Sequence, residues 1–300
     1  MAEASIPVDL FNPGQVFACL GFVEAADVLL GDAEGAFDWS DEGDVRFLIR
    51  ARGDASPVVR VLEFLSRAEA SGEAPEGSKS KDGWKADWGA LRFIPRSDGY
   101  PFPDPLKPAN VVCLLRDGPD YLRIAYWGEG TRIGRDNVKF WGGAGGYPGA
   151  ALARDALELI REAAVGAARN PFELGRPQGS SFRLDWRRDY IPIDAGFSLN
   201  RHGDKIVTVG FPIVELLGAI GLSHARPRRM SRRDKLDYVY GVAARGQHPD
   251  SAWLPPALLR LALGGEALPF PTRHFRMLLG WPGQEGQARA ITTVTEETRQ

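Results

Sequence analysis

The sequence is short of the residues that build staples, metal sites and leaders. It holds two cysteines in 300 residues, Cys19 and Cys113. Two excludes a disulfide framework and points to a reducing cytoplasm. The four histidines are His202, His224, His248 and His274, and none sits at a ligand spacing such as H-x-x-x-H. With the cysteines far from one another, the chain carries no zinc signature, and no cofactor is expected. There is no Lys or Arg before Arg46, hence no positive n-region of a signal peptide. Long apolar runs are missing too. Val16 to Val23 is eight residues long and stops at Glu24, and Gly210–Leu222 is broken by Glu215. A spanning helix needs roughly 20 residues, so no membrane partner is expected. Two catalytic signatures are also absent: no G-x-S-x-G supports a nucleophile elbow, and no G-x-x-x-x-G-K-[ST] supports a P-loop.

What the chain does have is an ordinary globular balance, 44% hydrophobic and 25% charged. That apolar share excludes a solvated coil for the bulk of the chain. Its 35 glycines and 22 prolines predict many turns and irregular connections and argue against a long helical bundle. The net charge of −2 hides an asymmetry. Residues 1–45 hold ten acids and no Lys or Arg, which leaves the rest of the chain at +8. Six bases against one acid fall in 226–235: Arg226, Arg228, Arg229, Arg232, Arg233 and Lys235.

Asn12-Pro13-Gly14 predicts a helix start, with the Asn12 side chain accepting from the first free N–H groups. The helix runs to about Leu30 and Gly31 stops it. Its interior is apolar on nearly every side, so it is buried, and Cys19 within it reads as core. Further helices are predicted over 58–70, 148–168, 213–222 and 258–263. Strands are predicted over 36–39, 44–50, 84–88, 111–116, 122–127, 182–186, 206–209, 238–243 and 275–279. Residues 71–83 read as a loop, 95–110 as a proline-rich extended connection, and the last dozen residues as frayed. Hairpin-like strand pairs mixed with helices make the fold α+β, with an N-terminal region over 1–110 and a C-terminal region over 111–300, or one compact unit.

Two stretches carry candidate chemistry. The basic run 226–235 is able to neutralise several phosphates and release their counterions, and it also reads as a solvated basic loop. Residues 139–149 form a Gly-rich segment leading into a predicted helix. Free N–H groups at a helix start, with glycines allowing close approach, suit phosphate. Arg132, Arg135 and Lys139 add charge, Gly143 and Gly145 open the backbone, and Trp141 offers a stacking face. The spacing is not that of a dinucleotide fingerprint, and a tight packing turn explains the glycines equally well. Asp185, Asp189 and Asp194 are acids in a setting with Arg187 and Arg188. A salt-bridged surface is the favoured reading there, ahead of metal or acid–base work.

Three stretches carry a resemblance: Val8–Gly21, the Lys139-Phe140-Trp141-Gly142-Gly143 loop, and Phe211–Leu222 with Arg226-Pro227. Together, in this order, they resemble the large-subunit-like family of type I-U CRISPR systems (also called I-G, or Dpsyc). The resemblance implies a non-enzymatic part in antiviral defence, within a Cascade-like guide-RNA complex. Its implied partners are the other effector subunits, guide RNA and target DNA, with the helicase-nuclease as a further one. Subunits of this kind contact the flanking motif and opened duplex while guide pairing reads sequence. At 300 residues the chain is short for a large subunit. An accessory role bridging the complex to the helicase-nuclease is the alternative, and a small-molecule phosphate-binding enzyme is the third reading.

Overall fold

A long helix with apolar side chains on nearly every side must be enclosed by the rest of its chain. Helix α1 (Pro13–Leu30) is enclosed: every residue from Pro13 to Ala26 is buried. By length and composition it is apolar enough to cross a membrane, and here most of it is buried in the core. Phe17 and Phe22 are fully buried, and such side chains contribute about 1.5–3 kcal/mol each. The computed structural model describes residues 1–75, 91–94, 112–125, 149–179, 181–189, 208–231, 236–244, 253–266, 268–280 and 290–297.

Both ends of α1 start and stop where the sequence places them. Gly31 ends it at φ +82°, with its N–H donating to the Asp27 carbonyl. The start differs in chemistry. Asn12 makes no capping bond; its Nδ2 instead donates to Asp185 Oδ1 at 3.0 Å, across the fold. A long-range partner has replaced the local one.

Helix α4 (Pro212–His224) lies along α1, its residues Pro212 to Leu222 all buried. Glycine sets their separation. A Cβ on Gly21 would stand 1.9 Å from the Leu217 carbonyl oxygen, and one on Gly221 would stand 2.2 Å from that of Phe17. Backbone meets backbone at both points. Helices α2 (Pro57–Arg67), α3 (Gly149–Ile160) and α5 (Pro256–Leu263) pack around this pair.

Among the described residues, three larger sheets and a two-stranded one flank the helices. β1 (Ala2–Pro7), β2 (Glu34–Asp38) and β3 (Arg46–Ala51) form an antiparallel sheet of order β1-β3-β2. β4 (Glu69–Pro75), β5 (Leu91–Ile94), β6 (Val112–Asp117) and β7 (Asp120–Ile124) form a second, of order β5-β4-β6-β7, with β4 and β5 parallel. β8 (Arg176–Pro177) and β9 (Val209–Gly210) make a two-stranded piece. β10 (Arg228–Arg229), β11 (Asp237–Ala243), β12 (Thr272–Gly280) and β13 (Ala290–Glu297) form an antiparallel sheet in sequence order. The fold is α+β, as the sequence predicts. One hydrophobic core cluster draws side chains from both sides of position 110, and β4 pairs with β6 across it.

Several local expectations are corrected. Residues 182–186 form no strand. The N–H groups of Leu184 and Asp185 donate to the Glu215 carboxylate, which takes the place of a neighbouring strand, and a 3-10 turn follows at Trp186–Asp189. The last residues are not all frayed. β13 pairs along β12, with Ala290 and Ile291 buried and Glu296 bonded to Arg273. The helix predicted over 148–168 stops at Ile160, and 165–167 is a 3-10 turn. α2 stops at Arg67, and residues 69–75, partly expected as loop, form β4 in the middle of a sheet. The predicted strand 84–88 and the connection 95–110 lie outside the described residues.

Candidate functional site

The basic run begins where α4 ends. Ala225 is extended, its N–H donating to the Gly221 carbonyl, and the chain then passes Arg226 and buried Pro227 into β10. β10 is the edge strand of its sheet and pairs Arg228 with Val239 and Arg229 with Tyr238. Neighbouring strand residues face opposite ways. Arg228 and Arg229 therefore straddle the edge and do not share one flat patch. Neither has a carboxylate within ion-pair distance among the described residues, whereas Arg260, Arg273 and Arg276 are all tied to acids. Arg228 and Met230 are exposed and Arg229 is half-buried. The Met230 N–H donates to the Asp237 carbonyl, so residues 230–236 connect two paired strands. Arg232, Arg233 and Lys235 fall in that connection and lie outside the described residues.

A carboxylate fixes the corner from which the run departs. Glu24 of α1 is 3% exposed and accepts from Arg260 of α5 through both oxygens, each at 2.6 Å. His224 Nδ1, in the last turn of α4, stands 3.3 Å from the same carboxylate. Burial holds the His224 pKa below its ordinary value; Glu24 opposes that and Arg260 adds to it. Three helices are thus joined at one point, and a desolvated charge left without its partner would cost several kcal/mol, on the order of 3–5.

The end of β7 meets the same corner. The N–H of Ala125, at the end of β7, donates to Ser223 Oγ at 3.1 Å, and that hydroxyl donates to the Ala219 carbonyl. Ala125 is the last described residue before 126–148, and Ser223 precedes Arg226 by three residues. Arg132, Arg135, Lys139, Trp141, Gly143 and Gly145 themselves lie outside the described residues. Ser223 was no part of the sequence reading; a serine late in an apolar helix gives no signal of what meets its hydroxyl.

β6 and β7 carry a further group that sequence reading passed over. Tyr121 is 46% exposed and lies directly across from Arg116. The Arg116 guanidinium is 5.8 Å and that of Arg123 5.6 Å from the ring centroid. Both arginines are exposed. The turn acids beside them are engaged elsewhere, Asp117 with Arg67 and Asp120 with Arg60, both of α2.

The acids of 185–194 are placed differently from expectation. Asp185 is wholly buried, not on the surface. It is salt-bridged as expected: Arg187 donates to it through Nε at 3.0 Å and through a second nitrogen at 2.7 Å. Arg187 also donates to Glu173 and to the Phe172 carbonyl, and stacks 3.6 Å from the Phe211 ring centroid. Burial works against the guanidinium's charge, but the bonds to Asp185 and Glu173 outweigh it and raise its pKa. Asp185, Glu215 and Asn12 join α1, the 171–187 segment and α4 in one buried polar knot. Its carboxylates accept from protein donors and hold the fold together. The side chain of Asp189, and Asp194 altogether, lie outside the described residues. Among the described residues no group of His, Cys, Asp and Glu is arranged to hold a metal ion.

No family model, curated protein or solved structure matches this chain.

Both cysteines are enclosed. Burial raises the thiol pKa of Cys19 well above its ordinary value and does the same at Cys113, with Glu73 adding to it there. A thiol held in its neutral form is a poor nucleophile.

Proposed function

We propose that this chain is a non-enzymatic subunit of a type I-U/I-G CRISPR effector and engages nucleic acid through the basic edge after α4. The observation that carries the reading is the edge strand β10, whose Arg228 and Arg229 have no carboxylate at ion-pair distance among the described residues. Without such partners among the described residues, Arg228 and Arg229 are ready to exchange counterions for phosphates. The Ala125–Ser223 hydrogen bond sets the end of β7 against the last turn of α4, the corner from which the basic run 226–235 departs. The family resemblance adds support. Two of the three stretches that carry it, Val8–Gly21 and Phe211–Leu222, span the facing parts of α1 and α4, whose close approach depends on glycine.

A tagged pull-down from the native host, with bound proteins and RNA identified, tests the assembly. Guide RNA recovered with other effector subunits supports the reading, and recovery of neither refutes it. The contact is tested by replacing Arg228, Arg229, Arg232, Arg233 and Lys235 together with alanine. Affinity should fall across all sequences, and the slope of log affinity against log salt should flatten by about 3.5–4.5, at roughly 0.7–0.9 per phosphate lost. An unchanged slope removes the basic run from the interface.

A second reading, an accessory subunit bridging to the helicase-nuclease without touching nucleic acid, draws on the acidic β2–β3 connection. Asp41, Glu42 and Asp44 are all exposed there. Recovery of the helicase-nuclease without guide RNA would select it.

A further inference from the structure

We infer that Tyr121, with Arg116 and Arg123 beside it, is a stacking platform for a base of a single-stranded nucleic acid. The inference deepens the reading above and rests on it only for the class of partner. On β7, Leu122 and Ile124 enter the core while Tyr121 and Arg123 take the outer side, which Arg116 of β6 shares; Leu114, across from Arg123 on that side, is buried. An aromatic ring with nearly half of its surface open gains little from folding. It offers a π-face that any base fits, and such contacts tolerate sequence. The two guanidiniums lie within cation–π range of the ring, which restrains its orientation before a ligand arrives.

The charges of this face are unbalanced for the same reason. Asp117 and Asp120 would neutralise Arg116 and Arg123 if they faced them, but both are bound to α2 through Arg67 and Arg60. Glu69 lies across from Arg116 on β4, yet it makes no ion pair with it. Among the described residues both guanidiniums therefore keep donors free for phosphate oxygens on either side of a stacked base. Tyr121 is four residues, about 13 Å of strand, from Ala125, where the basic corner begins. A single strand lying on that corner is in reach of the ring.

The test uses the full chain and a fluorescein-labelled oligothymidylate of about 15 nucleotides. Tyr121→Ala should weaken binding about tenfold with the salt slope unchanged, while Tyr121→Trp should bind at least as well as the parent. Arg116→Gln with Arg123→Gln should instead flatten the slope by about 1.4, at roughly 0.7 per phosphate of a single strand. Equal affinity of Tyr121→Ala and the parent overturns the platform and leaves the basic-edge reading standing. A loss in Tyr121→Ala, with no change in the fivefold basic-run variant, keeps the platform and overturns that reading. No oligonucleotide binding by the parent chain overturns both, and capture of polyglutamate in its place would make this face a contact for acidic protein.

Discussion

Gly21→Ala should loosen the molecule at its centre. The new methyl carbon would lie 1.9 Å from the Leu217 carbonyl oxygen, 2.7 Å from its carbonyl carbon and 3.1 Å from its Cα. These are backbone atoms of a buried helix, so no side chain is able to rotate away. Ordinary contact begins near 3.4 Å, which means α4 must retreat by about 1.5 Å. Overpacking on this scale costs about 1–3 kcal/mol, and a rigid backbone neighbour puts this case at the upper end. Alanine returns about 0.5–1 kcal/mol through its better helix propensity. The net expectation is a destabilisation of about 2 kcal/mol. It is measured by urea unfolding followed through tryptophan fluorescence, with the midpoint falling and the slope kept. Gly166→Ala is the control, since a Cβ there meets nothing within 4 Å, and it should stay within about 0.5 kcal/mol of the parent. A Gly21→Ala protein as stable as the parent would refute glycine-set packing of α1 on α4.

Three other outcomes are expected. Arg187→Met should cost about 3 kcal/mol, because it strands the buried Asp185 charge; Arg187→Met with Asp185→Asn should recover part of that, and a double-mutant cycle without coupling would contradict the ion pair. The unfolded His224 titrates near 6.5 and the folded one lower, so the unfolded state binds the proton first as pH falls. Stability should therefore drop from about pH 6.5 down to the folded pKa, and Glu24 offsets only part of this. His224→Gln should lose that portion of the pH dependence in urea midpoints taken from pH 7.5 to pH 5, and an identical profile would contradict it. Cys19 and Cys113 should react with a thiol reagent only at the rate of unfolding, and rapid labelling of either in the native protein would contradict their enclosure.

The helices were the legible part of this fold. Asn12-Pro13-Gly14, the all-round apolar interior and Gly31 marked both ends of α1, and the apolar run 213–222 marked α4 to within two residues at either end. The β11 core strand read as clearly. β1 was missed because its Ala-Glu-Ala-Ser sequence has weak apolar alternation, with only Ile6 fully committed to the core. β13 was missed because Thr, Glu and a chain end look solvated until β12 lies alongside. The false strand at 182–186 has alternating apolar residues, but its N–H groups find a carboxylate from 30 residues away. For the site, the clustering of bases at 226–235 was visible, and the pairing state of each base was not.

Sequence alone determined what must be buried: α1 and α4 carry too much apolar surface to face water on any side. It also determined where local chemistry stops and starts them, because proline and glycine act on their own backbone. Tertiary structure alone decided which polar groups stay free. Asp185 became the anchor of a buried knot, Glu24 the join of three helices, and Asp117 and Asp120 the partners of α2 and not of Arg116 and Arg123. Charges act over a few ångströms between groups far apart in the chain, as Glu24 and Arg260 are. Which cation keeps its donors is therefore a property of the packed chain.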